Sequence, residues 1–122
     1  MPGEIVHIVI PADDTEKGRE FWGSLFGWQF QAAPGASEYY MTQISDQAGA
    51  AITSMEPGKK GARAYFAVDE INTGAARVKE LGGEADDPMP VPGMGWFSTC
   101  RDPQGNEFGL WQTDPSAQAP AG

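Results

Sequence analysis

The chain carries one cysteine, Cys100, so no disulfide can close within it. A reducing, cytoplasmic setting is the expectation that follows. No apolar run approaches the roughly 18 residues that a membrane-crossing helix needs. The opening MPGEIVHIVI has no basic stretch ahead of an apolar one, which argues against a secretory signal. Basic residues are scarce: 8 Lys and Arg stand against 17 Asp and Glu, for a formal net charge of −9. A surface of that sign repels phosphate backbones and anionic lipid, so neither nucleic acid nor a membrane is an expected partner. Lys59, Lys60 and Arg63 form the only basic cluster, too small to reverse this. GKKG, residues 58–61, lacks the long glycine spacing and the following helix of a phosphate loop.

What the chain does have is enough apolar sequence, 40% over 122 residues, to bury a core in one compact domain. It also has an internal echo. Shifted by 56 residues, it lays Gly18 on Gly74, Leu25 on Leu81, Gly27 on Gly83, Pro34 on Pro90, Asp46 on Asp102 and Gly49 on Gly105. Glycines and prolines recur at turns for steric reasons, and their shared spacing points to a duplicated unit.

Each unit has the same order of elements. In the first, the β-branched run Glu4 to Ile10 predicts a strand. Asp13 or Asp14 then caps a helix running to about Phe26, with Asp13 and Glu16 at capping-box spacing. Phe21, Trp22 and Leu25 give that helix an apolar stripe, and Gly27 stops it. Strands are expected near Trp28 to Ala32, Tyr39 to Ile44 and Ala50 to Met55. In the second unit, Ala62 to Val68 is the first strand. Asn72 or Thr73 opens a helix whose Ile71, Ala75, Val78 and Leu81 recur every three or four residues, and Gly82 and Gly83 end it. Strands near Glu84 to Asp86, Trp96 to Cys100 and Glu107 to Gln112 complete it.

The fold expected is therefore α+β, two tandem βαβββ modules over residues 4–56 and 61–113. They form one domain, 1–113, followed by a flexible tail, 114–122. A linker at Glu56 to Gly61 joins the modules. Each helix covers one face of its sheet, and the remaining faces are expected to enclose a ligand cleft.

These pieces, taken in order, resemble the vicinal oxygen chelate superfamily, the group of glyoxalases, bleomycin-resistance proteins and extradiol dioxygenases. The matching segments are His7 in VHIVIP, FWGSLFGW from Phe21 to Trp28, FAVDEI from Phe66 to Ile71, Leu81 to Gly83, and DPQGNEFGLWQ from Asp102 to Gln112. The resemblance implies an open, barrel-like cup built from the paired modules, and many members dimerise. Enzymes of that group hold a divalent metal with ligands from the first and last strand of each module. Carried over one at a time, those positions fall on His7, Arg63, Thr53 and Gly109, and only His7 is a ligand-type side chain.

A divalent cation needs several oxygen or nitrogen donors converging at about 2.0–2.6 Å. Gly109 offers no side chain, and Arg63 offers a permanent positive charge and no lone pair. Glu107 shares a face with Gly109 but lies one pleat repeat, roughly 6.6 Å, along the strand. The expectation is a small-molecule binding protein without a catalytic metal or other cofactor. The alternative is a metal-dependent lyase or dioxygenase anchored on His7 and Glu107.

Candidate ligand contacts are His7, Trp28, Tyr40, Thr53, Arg63, Trp96, Glu107, Gly109 and Trp111. Histidine titrates near neutrality and can donate, accept or act as a base. Glu107 is the other candidate acid or base, or a partner for Arg63. Arg63 can grip an anion, and the aromatics suit a flat ligand. The competing readings are packing for each aromatic, a core hydrogen bond for His7 and a solvated place for Arg63 and Glu107. Asp86 to Trp96, rich in proline and methionine, reads as a rim or a linker. Cys100 reads as a buried thiol, and Gly109 as room for a ligand or the mark of a bulge.

Overall fold

The structure, a computed structural model, describes residues 3–33, 38–54 and 61–118. The linker Glu56 to Gly61, apart from Gly61 itself, lies outside the described residues, as does the end of the tail from 119 to 122. The chain is α+β, in the tandem βαβββ architecture expected. It divides into two compact units: residues 6–64, and residues 65–118 together with 3–5. The second unit recruits the chain's first residues through Gly3 N–H to Ala67 C=O and Ala67 N–H to Glu4 C=O, each 2.8 Å.

In the first unit, β1 (Ile5–Pro11) leads into α1 (Thr15–Phe26), followed by β2 (Gln31–Ala32), β3 (Tyr39–Gln43) and β4 (Gly49–Thr53). The strands lie in the order β2-β3-β4-β1. β1 and β4 run parallel, with His7 opposite Gly49 and Val9 opposite Ala51. β3 and β4 run antiparallel, with Tyr39 opposite Thr53 and Tyr40 opposite Ile52. Of the two capping candidates it is Asp14 that caps α1, its carboxylate accepting from the Lys17 N–H at 3.1 Å. Gly27 ends the helix in the left-handed region, at φ 74°. The helix lies over Ile52: a Cβ placed on Gly18 would come 3.3 Å from the Ile52 Cγ2. Side chains alternate along strands, so His7, Val9, Tyr39, Met41, Ala51 and Thr53 occupy the face turned away from α1.

β5 (Arg63–Ala67), whose first two residues fall in the first unit, leads into the second unit's α2 (Ile71–Glu80), then β6 (Glu84–Ala85), β7 (Met89–Val91), β8 (Gly95–Arg101) and β9 (Glu107–Thr113). The order is β5-β9-β8-β6, with β7 also on β8. α2 is capped by Glu70, whose carboxylate accepts from Thr73 N–H at 2.6 Å. The expected cap at Asn72 or Thr73 lies inside the helix instead. Glutamate is an uncommon cap, and its longer side chain reaches the same donor that a shorter cap would use. Ile71 of α2 packs with Cys100 and Leu110, and Val78 of the same helix, Trp96 and Phe108 lie against them. β7 was not anticipated, because its Met-Pro-Val reads as loop. A proline is tolerated there since β7 pairs only with β8.

The 56-residue echo holds at the helix caps, Asp14 and Glu70. It slips at the last strand. His7 faces Gly49 in one unit and Tyr65 faces Gly109 in the other, so the second register is two residues longer. Gly109 therefore corresponds to Ala51 rather than to Thr53. Gly105, matched to Gly49 by sequence, sits in the β8–β9 turn at φ 84°.

Of the expected tail, residues 114–118 fold back on the β7–β8 hairpin. Asp114 N–H bonds the Met94 carbonyl, Gly93 N–H bonds the Ala117 carbonyl, and Ala117 is buried.

Candidate functional site

The helix-free face of the first unit carries a polar pair. His7 Nε2 lies 3.2 Å from the Tyr39 hydroxyl, and Thr53, opposite Tyr39, is 1% exposed. Burial pushes the His7 imidazole below its ordinary value of 6.5, so the neutral ring dominates at pH 7. A neutral imidazole both donates and accepts, and the bond to Tyr39 orients it. Tyr39 was missed in the sequence. Its signal was the alternation Tyr39, Met41, Gln43, which only the β3–β4 register places beside His7's neighbours.

Tyr40 stands on the other face, under α1, where the Arg19 guanidinium carbon sits 3.8 Å from its ring centroid. Trp28 follows α1 and stacks on Trp22 at 5.8 Å and 8° between planes. Phe26 is 5.0 Å from Trp28, and Phe30 6.3 Å. With Phe21 edge-on to Trp22 at 5.5 Å, these form an aromatic cluster at the end of α1. Phe21, Leu25 and Phe26 expose more than half their surface. An aromatic cluster with exposed edges has the chemistry of a small apolar or aromatic ligand site.

The second unit explains Gly109. A Cβ on that residue would run into the Tyr65 ring, whose Cγ would be 2.8 Å away. Tyr65 is 7% exposed and meets Phe97 edge-on at 6.4 Å. The glycine thus houses an aromatic ring of its own chain. Gly95 does the same for Trp111, whose Cζ2 would be 2.6 Å from an added Cβ. Trp111 Nε1 donates to Thr113 Oγ1 at 3.0 Å. Phe97 faces Trp111 across β8 and β9, and Thr99 faces Gly109. Trp96 is on the opposite side, facing Gln112 and packed on the α2 core. The expected aromatics of this unit therefore divide between its two faces. Tyr65 and Phe97, which join Trp111, were not singled out from sequence.

Glu107 opens β9 and meets Arg101 NH2 at 3.4 Å. Arg63 opens β5 and is half-buried. Cys100 is buried, and desolvation raises its thiol pKa, which keeps it protonated and inert.

Among the described residues no three of His, Cys, Asp and Glu converge. The position from which the last strand would offer a carboxylate is a glycine covered by Tyr65.

Comparison with known proteins agrees with this architecture. The model of the glyoxalase-like domain matches residues 7–111. The chain therefore belongs to the glyoxalase-like domain family, within the vicinal oxygen chelate superfamily, and has that superfamily's small-molecule-binding fold. CFP32 of Mycobacterium tuberculosis, whose name carries a provisional glyoxylase assignment, is 32% identical over 110 residues. That alignment covers 83% of this chain and 42% of CFP32, so the chain spans about two fifths of that relative's length. A glyoxylase-like domain-containing protein of Didymella fabae is 31% identical over 120 residues, with 90% of this chain and 94% of that protein covered.

Among solved structures, the Bacillus halodurans C-125 protein BH1468 matches with a TM-score of 0.69 at 13% identity, covering 95% of this chain and 98% of that one. Methylmalonyl-CoA epimerase of Mycobacterium tuberculosis matches with a TM-score of 0.65 at 13% identity, covering 93% and 89%. At such identities the likeness is one of fold. Among the described residues no helix is long and apolar enough to cross a membrane.

Proposed function

We propose that this domain binds a small aromatic or anionic molecule without a catalytic metal, in the manner of the bleomycin-resistance branch of its superfamily. The observation that carries the reading is Tyr65 lying over Gly109. It replaces a carboxylate donor with an aromatic surface at the position where a metal ligand would stand. Tyr65, Phe97 and Trp111 then offer ring faces and edges on the helix-free side of the second module. Arg63 is the candidate contact for a ligand carboxylate. The same reading carries a cytoplasmic homodimer, supported by the lone cysteine and by the dimers common in the superfamily.

The test is calorimetric titration of chelator-treated protein against a panel of aromatic and anionic metabolites. Saturable one-to-one binding that survives chelation, and weakens in Tyr65→Leu, is the expected result. A folded protein that binds only after a divalent metal is restored would overturn the reading.

A further inference from the structure

A second concavity lies at the start of α2, on the helix-bearing side of the second module. It is a cleft of about 310 Å³, walled by Trp96 and Pro88 and edged by Glu70 and Asp114. That volume is at the small end of ligand pockets, roughly 300–1,000 Å³. We propose that this cleft is a binding site for a small organic cation, an alkylammonium or guanidinium group.

Four features select that chemistry. The indole of Trp96 is pinned, its Nε1–H donating to Asp114 Oδ2 at 3.1 Å. A fixed tryptophan is the best aromatic partner for a cation. No lysine, arginine or histidine lines the cleft, while two carboxylates do. Neither carboxylate has an ion-pair partner among the described residues. Both stay ionised at neutral pH, because hydrogen bonds from Thr73 to Glu70 and from Ser116 to Asp114 favour the charged forms.

Anions are turned away. A free helix N-terminus would attract them, but here its donors are spoken for. Ile71 N–H bonds Gln112 Oε1 at 2.8 Å, and Thr73 N–H bonds Glu70 Oε2 at 2.6 Å. A neutral apolar guest would cover carboxylate oxygens without replacing their water, which is unfavourable. A cation with an apolar body satisfies the carboxylates and lays its methylenes on Trp96 and Pro88. The site is separate from the helix-free faces invoked above and stands or falls independently of that reading.

The test is a titration of the ¹⁵N-labelled full chain with choline chloride, with sodium chloride at equal ionic strength as reference. The signals read are the Trp96 indole N–H and the Ile71 and Thr73 amides. Saturable shifts with choline and none with sodium chloride are expected. Asp114→Asn keeps the side chain's size and an oxygen for Trp96, and should raise the choline Kd by about fivefold or more, the loss of one charge contact. Glu70→Gln, which keeps an acceptor for Thr73 N–H, should weaken binding in the same direction and serves if the first variant fails to fold. The proposal is overturned by equal drift with both salts, by larger shifts with sodium acetate than with choline, or by unchanged choline affinity in a folded variant.

Discussion

Gly109 and Tyr65 interlock, and the fit can be measured. Gly109→Ala would drive a methyl group into the Tyr65 ring, so the ring or the strand must shift. Overpacking of this kind costs about 1–3 kcal/mol, read as a lower midpoint in urea unfolding. In a Tyr65→Ala background the obstacle is gone, and the same substitution should cost less by more than about 1 kcal/mol. That non-additivity is the signature of direct contact.

His7 makes a prediction in pH. Its folded pKa is depressed by burial, so below the unfolded value of 6.5 the unfolded chain takes a proton that the folded chain resists. Stability present above that value is lost as pH falls from 6.5 towards the folded pKa. His7→Gln should flatten this part of the profile. Asp102 and Asp114, whose pKa values are lowered by hydrogen bonds from Asn106 and Ser116, act only in the more acidic range near and below their ordinary value of 3.8. A stability profile unchanged by His7→Gln around pH 6 would contradict the burial of the neutral ring.

The helices are fixed by local chemistry, and so they were the most legible elements. Asp14 and Gly27 frame α1 within a dozen residues, and both signals are readable without knowing what the helix packs on. Asp14→Ala should cost about 1 kcal/mol, with Asp14→Asn restoring most of it. Gly27→Ala should cost about 1 kcal/mol for a different reason: nothing lies within 4 Å of an added methyl, but its φ of 74° disfavours any L side chain. Thermal unfolding of the three variants separates the two causes, since only Asp14→Asn should recover.

Strand register, by contrast, depends on partners far along the chain. The echo of Gly49 in Gly105 looked continuous by sequence, but the second unit's last strand is displaced by two residues. That displacement is what sets Gly109 beside Tyr65. For the same reason Trp96 and Trp111 could not be assigned to faces from composition, although their places opposite Gln112 and Phe97 follow at once from the β8–β9 pairing.

At the scale of the molecule, the tandem βαβββ plan and its superfamily were legible because duplicated turns, caps and aromatic segments fall in a fixed order along nearly the whole chain. The candidate site was legible only in part. His7 and the missing donor at Gly109 could be seen in the sequence, while the places of Tyr39, Tyr65 and Phe97 follow from strand pairing alone. The proposed metal-free function rests on the Tyr65 ring covering Gly109, the position where the superfamily resemblance puts a carboxylate ligand. Calorimetric titration of chelator-treated protein with manganese and zinc tests it most directly. The account predicts no saturable one-to-one uptake by the wild-type chain; stoichiometric uptake of either ion, lost in His7→Gln, would contradict it.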